Sequence, residues 1–381
     1  MTDQFQLSDD QLAIQEMAQR FTADNITPFA GEWDEKHHFP RDVIQKTGEL
    51  GFGAIYVSEE QGGIALGRLE AALIMEAMAY GCPATSAYIS IHNMAAWMID
   101  RFGGDEVKAK FLPQLVTLEN IASYALTEPS SGSDAAGLKT TAKLDGDHYV
   151  LNGTKQFISG SGHNDIYVVM VRTGEHKSKG ISCLVVEKDT PGLSFGAPEK
   201  KLGWNASPTA QLIFEDCRVP VANRVGAEGE GFRFAMAGLD GGRLNIGACS
   251  LGGAQRCLDE AVNYTKERQQ FGQPVADFQN TQFMLADMAT ELEAARALLY
   301  LAAAKVTANA PDKTRFSAMA KRLATDSGSN VVNNALQLFG GYGYLKDYPI
   351  ERFWRDLRVH SILEGTNQVM RMIVGRDMLR Q

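Results

Sequence analysis

Apolar residues recur at helical spacing through the first third of the chain, over residues 69–80, 87–102 and 105–118. The breaks between these runs are Gly62-Gly63, Gly81-Cys82-Pro83 and Gly103-Gly104. Ser8 followed by Gln11 has the spacing of a capping box, with Leu7 and Leu12 at the positions of a hydrophobic staple, so a helix is predicted to start there. The pattern changes near residue 121. Short β-rich pieces at 139–144, 149–151, 166–171, 181–186 and 211–214 alternate with the turn signals Asp145-Gly146-Asp147 and Asn152-Gly153. They predict an antiparallel sheet, as barrel or sandwich. From about residue 231 the helical period returns. Met284, Met288, Leu292, Ala295 and Leu299 form one stripe and Phe316, Met319 and Leu323 a second, as in the long antiparallel helices of a bundle. The expected architecture is α+β, with an N-terminal helical domain over 1–120, a middle antiparallel β domain over 121–230 and a C-terminal four-helix-bundle domain over 231–381.

Composition narrows the function by exclusion. With 381 residues, 44% hydrophobic and 22% charged, the chain is long enough for two or three domains with a substantial core. A formal net charge of -9 argues against nucleic acid or an anionic membrane as partner. The first ten residues lack the basic and apolar regions of a signal peptide and are too acidic for a transit peptide. The apolar run 297–304, cut off by Arg296 and Lys305, is too short to span a bilayer. Five cysteines, an odd number without a CxxC pair, suit a reducing compartment. The expectation is a soluble cytoplasmic chain, or a matrix protein already processed. No GxGxxG stands between a strand and a helix, and GxxxxGK[ST], HExxH and GxSxG are absent. Histidines and cysteines never gather at metal-ligand spacing, so no metal is expected.

Three stretches mix glycine, hydroxyl and carboxylate residues at element boundaries: Tyr124-Ala-Leu-Thr-Glu-Pro-Ser-Ser-Gly-Ser-Asp134, Gln337-Leu-Phe-Gly-Gly-Tyr-Gly-Tyr344 and Ile362-Leu-Glu-Gly-Thr-Asn-Gln368. In this order they resemble the signatures of the acyl-CoA dehydrogenase family, and the likeness runs from the first helix to Arg376. Four further segments resemble members acting on short branched thioesters: Ala87-Tyr-Ile-Ser-Ile-His-Asn-Met94, Lys201-Leu-Gly-Trp-Asn205, Gly241-Gly-Arg-Leu-Asn-Ile246 and Arg358-Val-His-Ser-Ile-Leu-Glu364. The resemblance implies FAD as cofactor, a homotetramer in which FAD spans subunits, and electron-transfer flavoprotein as electron acceptor. It further implies oxidation of 2-methylpropanoyl-CoA to methacrylyl-CoA in valine breakdown. Another short-chain or 2-methyl-branched acyl-CoA is the enzymatic alternative, and a non-catalytic acyl-CoA-binding scaffold with the same fold is the other.

The resemblance also implies roles for individual residues. Glu364 would be the base that removes the α-proton, with its backbone N–H and a flavin ribityl hydroxyl holding the thioester oxygen. A carboxylate is a weak base against a C–H acid unless such donors stabilise the enolate-like charge. Some relatives carry the base at the position of Gly242, where this chain has none. Tyr124, Leu126, Thr127 and Ser133 match the loop around the flavin, with Ser133 also near CoA; from chemistry alone this stretch is an ordinary turn. Phe157, Ile158 and Ser159 stand where many relatives have Trp-Ile-Thr, and otherwise read as one strand. Arg268, Phe271, Gln279, Gln337, Gly340 and Gly341 match contacts made to FAD from a neighbouring subunit. Singly, Arg268 is a surface charge and the glycine pair a helix C-cap. Thr366, Asn367 and Gln368 match further cofactor contacts, or simple N-capping. Asp240, Gly241, Gly242, Arg243 and Arg376 match the acyl-CoA channel, although tight helix packing also accounts for the two glycines. His92, Trp97, Trp204 and Trp354 read as packing.

Overall fold

The Ser8 hydroxyl accepts from the Gln11 amide at 3.2 Å while the Gln11 side chain accepts from the Ser8 amide at 3.0 Å, so the expected capping box opens helix α1 (Asp9–Asn25). A computed structural model describes residues 6–380. Residues 1–5, on which part of the reading of the first ten rests, lie outside the described residues. Helices α2 (Ala30–Lys36), α3 (Arg41–Lys46), α4 (Arg68–Ala79), α5 (Pro83–Phe102) and α6 (Asp105–Val116) complete the first helical part. Both α4 and α5 are buried along most of their length, which is why apolar residues occupy nearly every side of them.

The middle part is one eight-stranded sheet of β1 (Ala122–Ala125), β2 (Thr141–Asp145), β3 (His148–Ser159), β4 (Ile166–Arg172), β5 (Ile181–Glu187), β6 (Leu193–Phe195), β7 (Thr209–Pro220) and β8 (Arg224–Val225). The order is β6-β7-β3-β2-β4-β5-β8, with β1 beside β4. The expectation of a wholly antiparallel sheet needs correction: β1 runs parallel to β4, and β2 meets β4 in parallel at Thr141 and Arg172. The β2–β3 hairpin separates β1 from β4 in the chain, and a connection that long permits the parallel pairing a tight turn forbids.

Of the two turn signals, one closes a hairpin and the other does not. Asp145 pairs with His148 across Gly146-Asp147, and Gly146 has φ +61°, as a two-residue hairpin turn requires. Asn152-Gly153 instead lies inside β3, where the register against β7 slips between Leu151 and Gly153. Gly153 has φ +142°, and a Cβ there would fall 2.7 Å from Thr140 Cα, so this glycine makes a bulge. A second slip between Lys155 and Ile158 leaves Phe157 at φ +58°.

The last part holds α7 (Gly231–Glu267), α8 (Gln279–Thr307), α9 (Lys313–Phe339), α10 (Ile350–Arg358) and α11 (Asn367–Met378). On α8 the expected stripe is buried at Met288, Leu292, Ala295 and Leu299 and half-buried at Met284. On α9 it is displaced: Phe316, Met319 and Leu323 are half-buried, and the covered face holds Ser317, Ala320, Lys321, Ala324, Gly328 and Val331. Small residues bring α9 close to α7, where Gly328 leaves only 3.1 Å between a would-be Cβ and the Ser250 carbonyl. A hydrophobicity stripe misses such a face because alanine, serine and glycine are what it is made of.

Candidate functional site

The segment joining α10 to α11 is held at both ends. Before it, His360 is fully buried; Trp204 Nε1 donates to its Nε2 at 3.3 Å, which leaves the ring proton on Nδ1 to donate to Ser250 Oγ at 2.7 Å. Burial, with Lys321 adding to it, pushes the His360 pKa down to about 3 and keeps the ring neutral. After it, Thr366 caps α11 by accepting from the Val369 amide at 3.2 Å. Lys321, on the covered face of α9, donates to the Gly365 carbonyl at 2.8 Å and to Asn367 Oδ1 at 2.9 Å. Between these clamps Glu364 and Gly365 take left-handed backbone, φ +54° and +88°. A glutamate in that region costs of order 1–3 kcal/mol, and such strain gathers at functional sites.

This backbone lays the Glu364 carboxylate on Gly242 of α7, where a Cβ would fall 2.6 Å from Oε2. Oε2 is buried and has no hydrogen-bond partner. Burial pushes the Glu364 pKa up to about 7 against the opposing pull of Arg243 and Lys321. Tyr124 Oη, Asn245 Oδ1 and Arg243 Nε are buried without partners as well. Asn245 Nδ2 donates to Ser90 Oγ at 2.9 Å and to Tyr56 Oη at 3.3 Å. Burial chiefly, with the Glu364 charge adding, raises the pKa of both Tyr56 and Tyr124 and keeps them protonated. Unpaired buried donors and acceptors gathered round one carboxylate mark a place where a polar ligand completes the bonding.

The Tyr124–Ser133 loop leaves the end of β1 and lies against the end of β3, where the Gln156 amide donates to the Thr127 carbonyl at 2.8 Å. Beneath it Lys155 Nζ donates to the Leu126 carbonyl at 3.0 Å and to Glu128 Oε1 at 2.9 Å, with both side chains buried. Glu128 also accepts from the amides of Lys139 and Thr140 at 2.6 and 2.9 Å. Burial pulls the Lys155 pKa down to about 8, with Glu128 opposing. The two charges cancel, and the rim above them offers neutral groups: the half-buried residues Thr127 and Ser159, exposed Ser133, and a Phe157 ring that is 64% exposed. Hydroxyls, backbone and an open aromatic ring over a neutralised base suit the edge of a flavin. Leu126 and Ile158 turn their side chains into the core and leave only backbone to this rim.

The structure separates a second set. Arg268, Gly340 and Gly341 line a cavity of about 410 Å³ with Tyr264, Phe339 and Tyr342. Phe271, 96% exposed with φ +53°, Gln279 at the start of α8, and Gln337 are also exposed. Along α7 this end lies roughly 38 Å from Gly242 at 1.5 Å per residue. Gln368 and Arg376 are exposed on α11.

Two side chains expected to face ligands are consumed inside the chain. Asp240 accepts from Arg243 and from Thr314, each at 2.7 Å. Asn367 donates to Thr325 Oγ1 at 2.9 Å and to Asp326 Oδ1 at 2.7 Å, and its oxygen takes the Lys321 bond. His92 and Trp204 are packing groups as read, whereas Trp354 is 39% exposed. Sequence reasoning passed over Tyr56, Arg68 and Lys321. Lys321 had a signal, a charge on a helix face otherwise small and apolar. Arg68 had one too, a cation in the first turn of a helix, where the dipole disfavours it. Tyr56 had none.

The chain matches the models of the acyl-CoA dehydrogenase N-terminal domain over residues 8–119, middle domain over 123–217 and C-terminal domain over 229–379. It is 58% identical to a mitochondrial isobutyryl-CoA dehydrogenase of Dictyostelium discoideum and 53% identical to that of Bos taurus. In both cases 98% of this chain and 90% of the relative are covered. The solved structure of butyryl-CoA dehydrogenase from Megasphaera elsdenii superposes with TM-score 0.96 at 38% identity, covering 98% of this chain and 99% of that one. On these matches the chain belongs to the acyl-CoA dehydrogenase family of FAD-dependent oxidoreductases.

Proposed function

We propose that this enzyme desaturates isobutyryl-CoA to methacrylyl-CoA, with Glu364 as the base. The observation that carries the reading is the buried, unpartnered Oε2 of Glu364, set in a left-handed residue and clamped from both sides. Oε2 takes the α-proton, the electrons of that C–H bond become the new double bond, and the β-hydrogen departs with its electron pair. FAD, when bound, supplies the two-electron acceptor that receives this hydride. A pKa near 7 suits a group that must hold a proton and then give it up near neutral pH.

The other residues divide into holding and orienting groups. Tyr124, Thr127, Ser133, Phe157 and Ser159, with the backbone of Leu126 and Ile158, hold the flavin edge; Thr366, Gln368 and the Asn367 backbone extend that contact. Gly241, Gly242 and Arg243 border the acyl-CoA channel, Asp240 fixes Arg243, and Arg376 and Ser133 meet the CoA portion. Arg268, Phe271, Gln279, Gln337, Gly340 and Gly341 serve FAD of a neighbouring subunit in a homotetramer. The long separation along α7 and the bare Phe271 ring support that assignment. Electron-transfer flavoprotein then takes the electrons, and the parts 1–120, 121–230 and 231–381 act as three domains.

The test is a substrate series with electron-transfer flavoprotein or a dye as acceptor. A kcat/KM for isobutyryl-CoA above those for butyryl-CoA, isovaleryl-CoA and 2-methylbutyryl-CoA is the expected result. A higher value for any of the three moves the substrate assignment to that thioester.

A further inference from the structure

Arg68 opens α4 as a buried residue, 8% exposed, and among the described residues it forms no ion pair. Two carboxylates that stand close to Arg68 or Gly241 along the chain are engaged elsewhere: Glu70 accepts from Gln11 at 2.7 Å, and Asp240 binds Arg243 and Thr314. The guanidinium lies instead 3.8 Å above the Tyr56 ring and 5.2 Å from the centre of the Trp97 ring. Its third neighbour is Gly241, where a Cβ would fall 2.6 Å from Arg68 Cζ. Gly241 and Gly242 are successive residues of one helix, so one glycine makes room for Arg68 and the next makes room for the Glu364 carboxylate. Tyr56 connects the two, since its phenol is subject to the charges of both.

We propose that Arg68, stacked on Tyr56 and Trp97, is the specificity-determining residue that ends the acyl chamber beyond Glu364 and confines it to short apolar acyl groups. The proposal deepens the acyl-CoA reading above and rests on it. An acyl group whose α-carbon is at Glu364 and whose tail passes Gly241 meets guanidinium N–H donors that no carboxylate pairs with. A three- or four-carbon group leaves those donors their water. A longer alkyl chain strips the water and offers nothing in exchange, and a desolvated donor left unpaired is penalised. Apolar length alone discriminates weakly, by about 10- to 200-fold per methylene, so a polar wall adds selectivity that an apolar one lacks.

The experiment compares hexanoyl-CoA with isobutyryl-CoA on the FAD-loaded wild type and on Arg68→Ala and Arg68→Met, the second keeping most of the volume if the first folds poorly. Flavin absorbance and circular dichroism establish that each variant is folded and loaded. The ratio of kcat/KM for hexanoyl-CoA to that for isobutyryl-CoA is expected to rise at least about 10-fold in both variants, chiefly through KM for the longer substrate. A ratio unchanged within twofold in folded variants overturns the proposal. So does a wild type that prefers glutaryl-CoA and loses that preference in the variants, because Arg68 would then be a receptor for an anionic tail. A wild type whose flavin neither thioester reduces overturns the acyl-CoA reading and this proposal together, which separates the two failures.

Discussion

The Glu364 carboxylate occupies the space that a side chain at Gly242 would fill: a Cβ there falls 2.6 Å from Oε2 and 3.0 Å from Cδ. Residues from two distant parts of the chain thus share one position in space, and only one of them can carry a side chain. Gly242→Ala is expected to push the carboxylate aside while the flavin rim, built from β1 and β3, stays intact. A displacement of about 1 Å can cost on the order of 100-fold in rate. Steady-state kinetics beside a flavin spectrum checks this; full activity in Gly242→Ala would mean the carboxylate moves freely. In the paired change Gly242→Glu with Glu364→Gly, the carboxylate returns from the α7 side and part of the activity lost in Glu364→Gly should reappear.

Lys321 governs the second expectation. It lowers the Glu364 pKa through its charge and fixes the Gly365 carbonyl through its hydrogen bond. As the proposed base, Glu364 works deprotonated, so flavin reduction should rise with pH through about 7 in the wild type. Removing the lysine charge leaves burial less opposed. In Lys321→Met the rising limb should therefore move to higher pH by about one unit, with rates at pH 7 lower by about 5-fold. Lys321→Arg should recover much of the shift. A pH profile superimposable on that of the wild type would show that Lys321 acts on the loop alone.

How much of this was legible beforehand depends on whether the signal was local. The Ser8–Gln11 box and the Gly146 hairpin are short-range devices and were read correctly. The bulge at Gly153 reads as a turn in the sequence because Asn-Gly signals left-handed backbone without saying whether the chain reverses. The parallel β1–β4 pair depends on a long connection with no sequence mark. At the site, Glu364 and the loop from Tyr124 stand out through family likeness, whereas Arg68 and Lys321 carry only the weak local signals of a cation in a first turn and a charge on a small-residue face. Their burial is a product of how α4, α7 and α9 pack. The motif names Asp240 and Asn367 but not the direction of their side chains, which bond within the chain.

Arg268 tests the shared cofactor site. It borders the exposed Gly340-Gly341 cavity far along α7 from Glu364, and a guanidinium there suits a pyrophosphate. Arg268→Ala is expected to release FAD more readily and to loosen the proposed tetramer together, read by sedimentation and by flavin retained after gel filtration. A monomer holding stoichiometric FAD would contradict the arrangement across subunits.

The most direct test of the central claim is stopped-flow reduction of the bound flavin by isobutyryl-CoA in Glu364→Gln under anaerobic conditions. Glutamine keeps the shape that rests on Gly242 and removes the ability to accept a proton. General-base contributions are typically about 100- to 10,000-fold, so the variant should retain FAD and bind the thioester while flavin bleaching slows by at least about 100-fold. Bleaching at the wild-type rate would contradict the account, because the α-proton would then be leaving to some group other than Glu364.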